Sequence, residues 1–149
     1  MSNKFVVSPG CVMVSKLNPR IPRVWFPDVQ GSNRAICSTE FLVATPKAGV
    51  SPEFLFCLFK DASFINVFAT MVTGTSGSHQ RVRPESLLGM DVAIPTRDRI
   101  DEFTKLARPL LQRVRLNIAE SRTLAELRDA LLPKLLSGEI RINGKEAKR

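Results

Sequence analysis

The stretch TGTSGSHQRVR, Thr73–Arg83, sets hydroxyls, one imidazole, one amide and two guanidinium groups around two glycines. Thr75, Ser76, Ser78, His79 and Gln80 supply donors and acceptors, and Arg81 and Arg83 supply charge. These groups suit a nucleic acid. Hydroxyls and backbone N–H groups bind phosphate oxygens, an amide pairs with adenine and a guanidinium pairs with guanine. Gly74 and Gly77 let the backbone come close to a ligand. The other reading is a surface turn shaped by its glycines, with Gln80 bonded to neighbouring backbone. For Gln80 the structural role is preferred, although it stays among the candidate contacts.

A second stretch, SKLNPRIPRVW, Ser15–Trp25, places Lys16, Arg20 and Arg23 beside Pro19 and Pro22. Proline stiffens a loop and reduces the entropy lost on ordering it, and basic side chains suit phosphates. Equally, this is a solvated loop that leads Trp25 into the core. Arg34 is a further candidate of the same kind.

Other chemistries find little support. Cys11, Cys37 and Cys57 are widely spaced, no CxxC pair occurs, and His79 is the one histidine. Zinc sites need clustered ligands, so no metal is expected and the cysteines read as reduced, partly buried thiols. No Ser/His/Asp set, GxGxxG or P-loop is present. TSGSH lacks the strand–elbow–helix setting of a serine nucleophile. Asp98, Asp101 and Glu102 stand at a helix start, where carboxylates need no catalytic role.

The elements that must position these residues fall into two regimes. Up to about residue 95, short β-like runs alternate with turns. Phe5–Val7 and Cys11–Ser15 are split by Ser8-Pro9-Gly10, and Val24–Pro27 and Ala35–Pro46 supply further strands. Ser51-Pro52-Glu53 is a helix start: a capping serine, a proline at the first helical position and an acid at the positive end. The apolar run that follows predicts one helix from Pro52, broken near Asp61. Met90–Pro95 reads as a short strand closed by proline.

From Asp98 to Ser137 there is no glycine. A continuous helix there would reach about 60 Å. Ile100, Phe103, Ala107, Leu110, Val114, Asn117, Ser121, Leu124, Arg128, Leu131 and Leu135 follow alternating steps of three and four, and eight of these eleven are apolar. Leu106, Ile118, Ala125, Leu132 and Leu136 widen the face. This stripe suits packing on another helix rather than a uniform parallel zipper. Pro109 and Pro133 each remove a backbone donor, so a kink or break is expected at both.

At 149 residues, the chain has room for one domain, or one domain with an appendage. Its hydrophobic share of 44% is that of a globular protein. No apolar run would span a bilayer, the N-terminus lacks a signal-peptide core, and a cytoplasmic location is expected. The net charge is +8, from 22 basic and 14 acidic residues, and both regimes are net basic. That balance favours a polyanionic partner.

Two phrases bring these features together. GTSGSHQRVRPESLLGMDVAIP, followed by a helix and then NIAESRTLAELRDALLPKLLSGEIRI, resembles the specificity subunit of type I restriction–modification systems. In that family a target recognition domain ends in a glycine- and glutamine-containing loop, a short helix and an IP-terminated strand. A long helical region follows and closes on a phrase like that of Leu127–Ile140. VVSPGCVMVSKLNP and STEFLVATPKAGVSPEFLFCLF resemble earlier parts of the recognition domain, with Cys11 where an aspartate is usual. The resemblance departs in two ways. One recognition domain and one helical region stand where the family usually has two of each, and the match begins well inside the recognition domain.

The resemblance implies an α+β fold. A partial recognition domain, residues 1–95, precedes a long helical dimerisation arm, residues 96–142, and a charged tail, residues 143–149. It implies a non-catalytic, cofactor-free reader of double-stranded DNA that recognises one half of a bipartite site in the major groove. It would dock modification (methyltransferase) subunits and, through them, the restriction subunit; the methyl donor and ATP would bind those other subunits. The helical stripe is expected to form a two-fold antiparallel homodimer through Ile100, Phe103, Leu110, Val114, Ile118, Leu124, Leu131 and Leu135. The rival reading is an interaction module that binds modification or full-length specificity subunits through its helices without reading DNA.

Overall fold

A computed structural model describes residues 3–29, 34–74 and 80–141. The chain is α+β: short antiparallel ladders and helices precede one long helix. Two compact units divide it, residues 1–108 and 109–149.

In the first unit, β1 (Lys4–Val7) pairs with β4 (Ala35–Ser38). β2 (Val12–Ser15) lies between β3 (Val24–Trp25) and β5 (Phe41–Ala44). β2 is buried along its whole length, and its alternation feeds two clusters. Val12 and Val14 pack with Phe59, Phe64, Phe68 and Val82, whereas Cys11 and Met13 pack with Val7. Phe59, Phe64 and Phe68 form a stacked run with centroids 4.9 and 5.7 Å apart.

α1 (Pro52–Lys60) begins as expected: Ser51 Oγ accepts from the Phe54 N–H at 3.1 Å, and Pro52 opens the first turn. The expected break at Asp61 is present. Asp61 adopts an extended conformation and donates its N–H to the Leu58 carbonyl, and its carboxylate accepts from the Ser63 N–H at 2.9 Å. One residue thus stops α1 and caps α2 (Ala62–Thr70). β6 (Val72–Thr73) pairs with β7 (Arg81–Val82), and α3 (Pro84–Leu88) follows.

Ala35–Pro46 supplies strands as expected, β4 and β5, with a turn at Thr39-Glu40 between them. Several expectations are corrected. Val24–Pro27 pairs only at its first two residues, and Met90–Pro95 forms no strand. α4 (Arg97–Leu136) runs without a break through Pro109 and Pro133. Each proline costs one helical hydrogen bond, and the strong helix formers around it carry the helix on. Past its end, Gly138 takes a left-handed φ of 76° and donates to the Leu135 carbonyl at 3.3 Å, a glycine stop.

The first turns of α4 belong to the first unit. Thr104 Oγ1 lies 2.6 Å from Ser51 Oγ, and Arg108 Nε donates to Glu53 Oε1 at 2.7 Å. Phe103 meets Phe54 edge to face at 5.9 Å. The N-terminus of α1 therefore serves both as a helix start and as the seat of α4.

Candidate nucleic-acid interface

The main chain joins the two basic stretches. β2 ends at Ser15, whose N–H donates to the Arg23 carbonyl at 2.9 Å, so the intervening segment closes on itself. Within it Asn18 takes a φ of 47°, a left-handed conformation that asparagine tolerates. Its carbonyl accepts from the Ile21 N–H at 3.0 Å. Pro19 is fully buried and anchors this turn, while Arg20 and Arg23 stay exposed.

The returning strand pairs with the start of that segment. The Val82 N–H donates to the Lys16 carbonyl and the Asn18 N–H to the Gln80 carbonyl, each at 2.9 Å, with Leu17 opposite Arg81. Gln80 thus bonds neighbouring backbone through its own carbonyl. Val82 is buried, so strand alternation sends Arg81 and Arg83 to the opposite face. Lys16, Arg20, Arg23, Gln80, Arg81 and Arg83 therefore sit on adjoining segments, although they are far apart in sequence.

Arg81 is held there by Glu40. Its Nε donates to Oε2 at 2.9 Å and its Nη2 to Oε1 at 3.2 Å, a bidentate pair. These hydrogen bonds hold the Glu40 carboxyl below the usual carboxylate range. The charges of Arg81 and Lys16 act in the same direction, and partial burial opposes them. The same pair raises the Arg81 guanidinium. The Lys16 N–H donates to the Glu40 carbonyl at 2.9 Å, so Glu40 ties both stretches together. Arg81, a candidate base reader in sequence, is committed to an internal pair, whereas Arg83 is exposed at the head of α3. Arg34 is exposed at the start of β4, in the separate β1–β4 ladder. Thr75, Ser76, Ser78 and His79 lie outside the described residues.

Among the described residues, no catalytic constellation accompanies these groups. Cys11 is buried, Cys37 and Cys57 are partly so, and burial raises all three thiols above their ordinary range. Such thiols are poor nucleophiles. Among the described residues, no group of three His, Cys, Asp or Glu could hold a metal ion, and no helix is long and apolar enough to cross a membrane.

The second unit carries an apolar face. Leu110, Val114, Ile118, Leu124 and Leu131 are exposed, and Leu135 is half-buried. An open groove on this face is lined by Val114, Asn117, Ile118, Ser121, Arg122 and Ala125. Two residues of the expected stripe behave differently. Ile100 is only 2% exposed within the first unit, so it is a core residue with no surface to offer a partner. Phe103 is engaged by Phe54.

Over 129 residues, 86% of the chain, the sequence is 27% identical to the type I restriction enzyme HindI specificity subunit of Haemophilus influenzae. The chain is similar to a type I specificity subunit. The matched region spans 28% of that protein's length. No family model matches the chain, and no solved structure matches it.

Two features escaped the sequence reading. Glu40 organises the site from a turn between strands, and no periodicity marks a partner for Arg81 so distant in the chain. Trp25, which the solvated-loop reading placed in the core, is 57% exposed at the edge of the three-stranded sheet. The signal was available: Arg23 and Trp25 are two apart in an extended segment, so the tryptophan shares a face with a charged residue.

Proposed function

We propose that this chain is a non-catalytic DNA-recognition subunit of a type I restriction–modification complex. The observation that carries this reading is the joining of Lys16–Arg23 to Gln80–Arg83 by main-chain hydrogen bonds, which brings the two basic segments side by side. The likeness to a specificity subunit and the net charge of +8 support it. In this reading the first unit recognises one half of a bipartite site in double-stranded DNA. Lys16, Arg20, Arg23 and Arg83 meet phosphates or base edges, and Arg34 meets phosphate farther out. Thr75, Ser76, Ser78 and His79, which lie outside the described residues, are proposed as further contacts. The chain needs no cofactor, because the methyl donor and ATP belong to the modification and restriction subunits it works with. It acts in the cytoplasm.

The second unit supplies the assembly surface. Two copies pair antiparallel through Leu110, Val114, Ile118, Leu124, Leu131 and Leu135, which sets two recognition units apart and docks modification subunits. A second reading rests on the exposure of this same apolar face. It makes the chain an interaction module that binds modification or full-length specificity subunits without reading DNA.

Gel shift on random-sequence duplex at low salt, with and without the modification subunit, separates the two. A shift with a log–log salt slope of roughly −3 to −6 is expected for several neutralised phosphates. Capture of the modification subunit with no DNA shift under either condition would select the interaction module.

A further inference from the structure

Trp25 lines a cleft that borders the proposed duplex-reading surface and shares Arg23 with it. The cleft has a volume of about 410 Å³ and is walled by Pro22, Arg23, Val24, Trp25, Lys60 and Ile65. Two cations stand at it and, among the described residues, no acidic side chain lines it. Lys60 Nζ is 5.5 Å from the centroid of the Phe56 ring, a cation–π contact that steadies the ammonium. Arg23 is fixed through its carbonyl to Ser15, and Trp25 through its strand pairing with Met13 and its contact with Phe41 at 5.5 Å. An aromatic wall, apolar neighbours and two cations match one ligand chemistry, a flat ring that carries an anion.

We infer that this cleft binds a nucleotide whose base is unstacked, with the base against Trp25 and its phosphate on Arg23 and Lys60. The inference rests on the DNA-reading proposal and adds a requirement to it. A base within an intact duplex hides its faces in the stack, so the ligand is single-stranded DNA or a duplex opened beside the recognised sequence. The cations at the cleft favour this occupant over an apolar protein segment, which would leave both charges without a partner.

Trp25 is the single tryptophan, and the chain has no tyrosine, so tryptophan emission reports this site alone. The protein is titrated with a short oligothymidylate and with a blunt random duplex at low salt. Saturable quenching by the oligothymidylate is expected. Trp25→Ala should weaken its binding by about 5- to 150-fold, the range for losing one stacked base, and Trp25→Phe should recover part of that loss. Melting followed by circular dichroism checks that the variants fold, and the emission of the unmutated protein needs no variant at all. Oligothymidylate that shifts on a gel without changing the emission overturns the cleft and leaves the DNA reading standing. A change that follows protein concentration rather than oligonucleotide assigns Trp25 to contact between copies, and also overturns it. Failure of every DNA to bind, with the modification subunit present, removes both proposals.

Discussion

Replacing Leu124 and Leu131 together by aspartate tests the proposed dimer. Leu124 is 57% and Leu131 37% exposed in the second unit. Full burial of a leucine side chain is worth about 1.5–3 kcal/mol, so covering the part now exposed is worth roughly 1 kcal/mol at each position. A two-fold interface uses every contact twice, which makes the pair worth about 4 kcal/mol per dimer. That corresponds to about a thousandfold in dissociation constant. The aspartates add the cost of placing carboxylates against apolar surface, so the figure is a lower bound. Both positions are exposed within the monomer, so its helix should keep its melting behaviour. Sedimentation velocity and light scattering at micromolar concentration read the outcome: a dimer for the unmutated chain and a monomer for the variant. An unmutated chain that sediments as a monomer would refute the argument, as would a variant that stays dimeric.

Other consequences are open to direct measurement. Arg83→Ala should weaken duplex binding by roughly 1–3 kcal/mol if the guanidinium reads a guanine, with a loss that depends on sequence. A loss that is uniform across sequences would make it a phosphate contact. Arg81→Ala should instead lower the melting temperature, because it removes the partner of Glu40 and loosens the Leu17–Arg81 junction; unchanged melting would return Arg81 to the candidate readers. The Glu40 carboxyl is depressed in the folded state, so its stabilising contribution is present above the unfolded value of about 4.3 and fades as the pH falls through the lower folded value. Urea midpoints of the unmutated protein and Glu40→Gln should therefore differ at neutral pH and converge in acid, and a constant gap would exclude the ionised pair as the cause. Phe64→Ala, in the centre of the stacked phenylalanines, should cost about 3–5 kcal/mol by chemical denaturation.

What could be read in the sequence was local. Ser51-Pro52-Glu53 announced α1, because capping, the proline position and the acidic first turn all depend on neighbouring residues. Asp61 announced the break for the same reason. The long glycine-free segment announced α4. Less was legible where distant parts of the chain decide. Ala35–Pro46 could be read as strand, but not that β4 and β5 pair with different strands, β1 and β2, across the turn that lets the chain change ladders. Met90–Pro95 has strand-like residues and, among the described residues, no strand to pair with. Ile100 fits the helical stripe perfectly well, yet it is buried in the first unit, since a period cannot tell which fold covers it.

The same limit explains why Arg81 and Arg83 have different roles despite standing two residues apart. Both leave the strand on the face opposite Val82, so alternation alone would treat them alike. Glu40 breaks the equivalence. It arrives from the turn between β4 and β5, accepts both hydrogen bonds of the Arg81 fork, and holds the Lys16 backbone through its carbonyl. The pair cancels one charge locally and fixes the two basic stretches against each other. Arg83, one strand step beyond, keeps its exposure at the head of α3. A fixed, neutralised arginine behind exposed basic groups limits the conformational entropy lost when those groups meet DNA. On this reasoning Glu40 affects recognition without touching the nucleic acid, and Glu40→Gln should raise the dissociation constant for duplex by the same factor across sequences.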